Sequence, residues 1–195
     1  ASLDFDWSQI SPTIFGALFE STLNPQTRRS GGMHYTSVEN IHKVIDPLFL
    51  DALTEELNEI EAEPVLNKRK VRLKNYIDKL AGLKILDPAC GSGNFLTESY
   101  ICLRRLENRA LKSIQGGQIA LGYIEPEFSE IKVKIDQFYG IEINDFAVEV
   151  AKTAMWIAES QLKKETSDIV CQPLDYLPLK NYSNIVCENA LRYDW

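Results

Sequence analysis

Leu83-Lys84-Ile85-Leu86-Asp87-Pro88-Ala89-Cys90-Gly91-Ser92-Gly93-Asn94-Phe95-Leu96 is the stretch on which the fold turns. Leu83 to Asp87 is a short apolar run and Pro88 to Gly93 a tight glycine turn. Asn94 to about Ile114 then repeats apolar residues at helical spacing through Phe95, Leu96, Cys102, Leu103, Leu106 and Ala110. Strand, glycine turn and helix in that order read as the start of a parallel βαβ unit. Glycines after a buried strand let the backbone turn sharply and approach a ligand, and the next helix offers unpaired N–H groups to negative charge. The turn lacks the third glycine of a dinucleotide fingerprint, and Asp87 puts a carboxylate where a pyrophosphate would be repelled. A ligand carrying an ammonium beside a carboxylate, as an amino acid does, suits Asp87 and the backbone donors better.

Towards the carboxyl end the alternation continues. A weak helix is expected near Glu127 to Lys134, then a second strand, Phe138 to Ile143. A helix follows from about Asp145 to Leu162, with Ala147, Val150, Ala151, Ala154 and Ile157 inward. After a loop punctuated by Pro173 and Pro178 comes a third strand, Ser183 to Cys187. Glu142 falls at the tip of the second strand, where a carboxylate can accept both hydroxyl protons of a ribose. Taken alone, Glu142 reads equally as an ordinary exposed acid at a strand end. Beside the glycine turn, it makes an adenosine joined to an amino acid the economical ligand, which describes S-adenosylmethionine.

Towards the amino end the pattern is helical. A stripe of Ile14, Phe15, Leu18, Phe19, Thr22 and Leu23 follows Pro12, ends at Asn24-Pro25 and gives way to a loop from Gln26 to Gly32. Thr36-Ser37-Val38-Glu39 fits a capping box, with Val38, Ile41, Val44 and Ile45 facing inward behind it. Pro47 is expected to cap a second helix through Leu48, Phe49, Ala52 and Leu57. An acidic stretch from Asp51 to Glu63 precedes a basic one from Lys68 to Lys74, whose helix carries an apolar stripe of Leu66, Leu73, Ile77 and Leu80. The bases Lys68, Arg69, Lys70, Arg72 and Lys74 read as a solvated face, with phosphate contact the alternative.

Composition sets the outer limits. The 195 residues hold 45% hydrophobic and 25% charged side chains, the mixture of a soluble globular chain. A sum of 21 basic against 28 acidic residues, or −7, argues against a free-standing binder of nucleic acid driven by charge. No apolar run reaches the roughly 18 to 20 residues that span a bilayer, and the acidic amino end is unlike a signal peptide, so a cytoplasmic protein is expected. Cys90, Cys102, Cys171 and Cys187 form no C-x-x-C pair and read as reduced, mostly buried thiols. No metal site is expected. His34 and His42 read as loop and helix-surface residues, and Trp7 and Trp156 as packing residues.

These segments resemble the adenine-specific DNA methyltransferases of restriction-modification systems. Asp87-Pro88-Ala89-Cys90-Gly91-Ser92-Gly93-Asn94-Phe95-Leu96 looks like their first cofactor motif, and Gly140-Ile141-Glu142-Ile143 with Ala151 to Trp156 resembles the second. Gly31 to Thr36 is similar to the motif that precedes the first where the extra cofactor-contacting helix lies on the amino-terminal side. Glu188-Asn189-Ala190-Leu191 is similar to the third, with Glu188 where glycine is usual. The likeness is greatest to large single-chain type II enzymes that fuse nuclease, methyltransferase and target recognition.

The resemblance implies an α/β fold, a partial Rossmann-like methyltransferase domain with the first three strands of a parallel sheet, preceded by a helical segment. The division is expected at residues 1–81 and 82–195. The cofactor S-adenosylmethionine would be held by Tyr35, Thr36, Asp87, Pro88, Ala89, Cys90, Gly91, Gly93, Phe95, Glu142, Ile143, Asn189 and Ala190. Thr36 and its helix start would take the methionine carboxylate and Asp87 the ammonium, with Gly91 and Gly93 leaving room. Glu142 would take the ribose hydroxyls, Ile143 the adenine face and Asn189 the adenine amine. Flipped target adenines are held in this family by Asn or Asp followed by Pro-Pro and an aromatic residue. None of the eight prolines here is adjacent to another, so that motif is absent and no catalytic residue is assigned. The chain therefore reads as the amino-terminal part of such a domain, inactive alone, meeting double-stranded DNA through a recognition domain elsewhere in the parent. In this fold the first strand lies between the second and the fourth, so an unpaired edge at Leu83 to Asp87 and self-association are expected. A methyltransferase for RNA or protein amines, and a non-catalytic scaffold or specificity module with the same fold, are the alternatives.

Overall fold

The computed structural model describes residues 11–12, 36–115, 131–170, 182 and 184–194. The helix expected after Pro12, the loop from Gln26 to Gly32, Tyr35, Trp7 and Cys171 lie outside the described residues. The chain runs through α1 (Val38–Ile45), a π turn (Asp46–Leu50), α2 (Asp51–Glu61), α3 (Leu66–Gly82), β1 (Ile85–Asp87) and α4 (Asn94–Gln115). A 3-10 turn (Ile135–Gln137), β2 (Phe138–Glu142), α5 (Asp145–Val170) and β3 (Ile185–Cys187) follow among the described residues. All strand pairs are parallel, in the order β1-β2-β3. This is the parallel α/β sheet that the glycine turn implied.

Local departures have local causes. The N-cap of α1 is Ser37, whose hydroxyl accepts from the Asn40 N–H at 3.4 Å, so the capping box starting at Thr36 does not form. Either residue can cap, and the chain selects the second. Pro47 does not start a separate helix: the turn of Asp46–Leu50 widens to π geometry and joins α1 to α2 without a break. A proline lacks the N–H that an α turn needs, and a wider turn absorbs the loss. Leu66 is exposed, and Tyr76 takes the place expected of it in the buried stripe with Leu73, Ile77 and Leu80. Residues 131–134 carry no helix, and α5 runs on to Val170.

One apolar core joins the helical segment to the sheet. Leu53, Leu57 and Ile60 of α2 and Leu73, Ile77 and Leu80 of α3 share it with Leu96 and Leu103 of α4, Phe138 of β2 and Met155 of α5. Tyr100 meets Phe138 edge to face, ring centres 5.4 Å apart, a favourable aromatic geometry. The Gln137 side-chain amide donates to Leu80 O at 2.9 Å and Leu83 O at 2.8 Å, tying the end of α3 to the start of β2. Helix α4 is buried almost all round and carries charge inside. The fully buried Arg104 pairs with Glu107 and reaches Thr166 of α5, while Glu107 Oε1 accepts the Lys132 N–H at 2.7 Å. This network fixes α4, α5 and the approach to β2 relative to one another.

Candidate cofactor-binding site

The site is built at the carboxyl ends of the strands. Asp87 pairs with Gly140, and Glu142 with Cys187, so the three strands end within a step or two of one another. Asp87 Oδ1 accepts the Ala89 N–H at 3.0 Å and bends the chain into the turn. The Cys90 N–H donates to Ile141 O at 3.1 Å, anchoring the turn to β2. The Gly91 N–H then donates to Glu142 Oε2 at 2.9 Å, joining the glycine turn to the acidic strand tip directly. The Gly93 N–H closes back on Cys90 O at 2.8 Å, and α4 begins.

The two turn glycines have different work. Both lie in the left-handed region, Gly91 at φ 54° and Gly93 at φ 76°. A Cβ on Gly91 would meet nothing within 4 Å, so open space lies over it. A Cβ on Gly93 would stand 2.8 Å from Ala151 Cβ of α5, so that space is already taken. The expectation that both glycines leave room for a ligand is therefore corrected: Gly93 lets the turn press against α5, because the helix after β2 packs directly beneath it. Gly140 is equally tight, a Cβ there falling 2.8 Å from Cys90 Sγ.

The Glu142 carboxylate is aimed by its neighbours. Its Oε1 accepts the Asn144 N–H at 2.9 Å, and the Asn144 side chain accepts the Ala147 N–H at 2.9 Å at the start of α5. Asn144 thus starts the helix and orients the acid, a role the sequence reading missed although a cap residue at a strand-to-helix step is a usable signal. Each carboxylate oxygen keeps acceptor capacity after one N–H bond. Burial pushes the Asp87 carboxyl above its ordinary value, the Ala89 N–H opposes this, and the Glu142 charge adds to it. Burial above all, then Asp87 and Glu142, raises the Cys90 thiol, so Cys90 stays protonated and serves packing rather than nucleophilic chemistry.

The remaining candidate residues fall around this centre. Pro88 and Ala89 are exposed on the turn, and Ile143 is 68% exposed beside Glu142, free to offer apolar surface. The Glu188 N–H donates to Glu142 O at 2.9 Å, which sets Asn189 and Ala190, both half-buried, next to the second motif. Asn189 Oδ1 already accepts the Leu191 N–H at 3.0 Å, leaving one lone pair for an amine. Phe95 packs against Ile41, Ile45 and Cys102 and so docks α1 on α4 near the turn. Thr36 is half-buried just ahead of α1. His42, expected on a helix surface, is only 32% exposed and lies between Asp46 and Glu98. Trp156 packs against the core as expected, and of the cysteines Cys90 and Cys102 are buried and Cys187 exposed, all free thiols.

Comparison with known families decides what this site belongs to. The family described as MmeI, DNA-methyltransferase domain, matches residues 62–195. The chain belongs to that family. DNA methyltransferase A of Bacillus subtilis (strain 168) is 41% identical over 191 residues, which is 97% of this chain and 20% of that protein. The solved type IIL restriction-modification enzyme MmeI, determined in complex with DNA, superposes with a TM-score of 0.83 at 42% identity, covering 98% of this chain and 24% of that one. The adenine-specific methyltransferase PglX of Streptomyces coelicolor is 31% identical over 78 residues, 39% of this chain and 5% of that protein. The chain thus spans a quarter or less of each relative. Among the described residues no helix is long and apolar enough to cross a membrane.

Proposed function

We propose that this chain is the S-adenosylmethionine-binding part of an adenine-specific DNA methyltransferase within a larger restriction-modification protein. The observation that carries the reading is the bond from the Gly91 N–H to Glu142 at 2.9 Å, with open space over Gly91. It joins a glycine turn to an acidic strand tip at the carboxyl ends of parallel strands, and ligands of α/β sheets bind at such ends. The residues suit the cofactor chemically, because burial and then the Glu142 charge make Asp87 costly to ionise, and an ammonium beside it relieves that cost.

When bound, S-adenosylmethionine supplies an activated methyl group on sulfonium. Asp87 holds the ammonium, Thr36 and the positive start of α1 attract the methionine carboxylate, and Glu142 accepts the ribose hydroxyls on its spare lone pairs. Ile143 covers one adenine face, and Asn189 with Ala190 meets the adenine edge. Adenine as the target base follows from the likeness to PglX and from the motif resemblance. The chain is inactive alone, lacking the Pro-Pro motif that holds a flipped base, and double-stranded DNA is bound by other parts of the parent. The outer edge of β1, where Leu86 is 43% exposed, accepts a further strand, and in the isolated chain a second copy supplies it.

Isothermal titration of the chain with S-adenosylmethionine tests the reading. One site per chain is expected, lost in Gly91→Ala, whose methyl enters the open space, and weakened at least tenfold in Glu142→Gln. Affinity unchanged in both variants, or no binding by the parent chain, overturns it.

A further inference from the structure

We propose that His42, Glu98 and Cys102 form a binding site for a zinc-class divalent cation, at the joint where α1 docks on α4. The inference is independent of the methyl-transfer reading. One donor atom from each residue, a ring nitrogen, a carboxylate oxygen and a sulfur, lies within 4.8 Å of the other two. His42 Nε2 is 3.3 Å from Glu98 Oε1, and Cys102 Sγ is 3.8 Å from the same oxygen. Zinc bonds of about 2.0 Å to nitrogen and oxygen and 2.3 Å to sulfur, arranged tetrahedrally, set N–O and S–O edges of about 3.3 and 3.5 Å. The two edges that meet at Glu98 Oε1, 3.3 and 3.8 Å, already stand near those lengths, and the third lies within 4.8 Å.

The support around them is that of a metal site. Glu98 and Cys102 are one helical turn apart on α4 and nearly inaccessible, at 6% and 7% exposure, so the scaffold is rigid. Asp46 Oδ1 lies 2.6 Å from His42 Nδ1, where an ionised carboxylate accepts and so favours the tautomer with its hydrogen on Nδ1. In neutral histidine this leaves the Nε2 lone pair facing the Glu98 carboxylate, two acceptors with a positive species required between them. A carboxylate behind a ligating histidine is the usual device for fixing its tautomer and raising its basicity. The mixture of imidazole, carboxylate and thiolate selects zinc over magnesium or calcium, which prefer all-oxygen ligands. On coordination Cys102 binds as the thiolate and its proton passes to solvent, and water takes the fourth position from the half-exposed side of His42.

Cobalt(II) is the probe. The chain, stripped with a chelator and titrated with Co2+, should show a thiolate-to-cobalt band in the near ultraviolet and tetrahedral bands in the visible, saturating at one ion per chain and bleached by Zn2+. Cys102→Ala and His42→Ala should abolish the near-ultraviolet band and the one-to-one saturation respectively, Cys187→Ser should keep both, and Asp46→Asn should keep the spectrum while weakening Co2+ about 10- to 100-fold. A stripped wild-type chain that gives no such bands in excess Co2+ overturns the proposal without any variant, and identifies a proton as the positive species at His42. A thiolate band that persists in Cys102→Ala overturns it as well.

Discussion

Gly93→Ala is expected to destabilise the chain by about 2 to 4 kcal/mol, while Gly91→Ala, two residues earlier, costs about 1 kcal/mol or less. Both substitutions force alanine into left-handed backbone, at φ 76° and φ 54°, a strain of about 1–2 kcal/mol each. Both recover roughly 0.4–1 kcal/mol because alanine is less free than glycine in the unfolded chain. The difference lies in what the new methyl meets. At Gly91 it meets nothing within 4 Å; at Gly93 it stands 2.8 Å from Ala151 Cβ and 3.1 Å from Ala151 Cα. Neither of those atoms belongs to a rotatable group, so α5 itself must shift, and overpacking of that kind costs about 1–3 kcal/mol. Urea denaturation followed by far-ultraviolet circular dichroism reads both variants. The decisive measurement adds Ala151→Gly. Alone it costs about 1 kcal/mol as a glycine inside a helix, but combined with Gly93→Ala it removes the closer contact, at 2.8 Å, and leaves only the milder one to Cα at 3.1 Å. The pair should therefore be more stable than the sum of the single effects by about 1–2 kcal/mol. Equal losses at Gly91 and Gly93, or strict additivity in the double variant, would refute the assignment of Gly93 to packing.

Two further outcomes follow from charges inside the fold. Arg104→Met leaves Glu107 buried without its cation, and thermal melts should report a loss of about 3–5 kcal/mol, largely regained when Glu107→Gln is added; a loss under 1 kcal/mol in the single variant would mean the pair is solvated. Burial above all, with the Glu142 charge, holds the Asp87 carboxyl above its ordinary value, so without ligand it keeps its proton to higher pH than an ordinary aspartate, and a bound ammonium favours its anion. Affinity for S-adenosylmethionine should accordingly climb with pH through that raised value and then level off, whereas adenosine, which lacks the ammonium, and the Asp87→Asn variant should give flat profiles; parallel slopes for both ligands would remove Asp87 from the ammonium site.

The strand tips were legible in the sequence because their chemistry is written in adjacent letters. Asp87 to Gly93 declares a turn, and Glu142 declares an acid at a strand end; their meeting required only that both strands be parallel neighbours. The work of Gly93 was not legible, since it depends on Ala151, far along the chain, arriving beneath the turn. Ser37 and Thr36 compete for the same cap, and local pattern cannot rank two hydroxyls one residue apart. Pro47 looks like a break because propensity assumes an α turn, and the π turn of Asp46–Leu50 lies outside that assumption. His42 followed helical periodicity to the surface, but its neighbours Glu98 and Cys102 come from a helix that no local window contains.

The amide of Gln137, holding Leu80 and Leu83 at once, has a mechanical reading. The seam near residue 81 is a change of composition, yet this side chain rivets it shut, so the helical hairpin behaves as a buttress for the sheet and not as a swinging arm. Force or ligand strain applied to either half is handed to the other through this glutamine and the apolar core the two halves share.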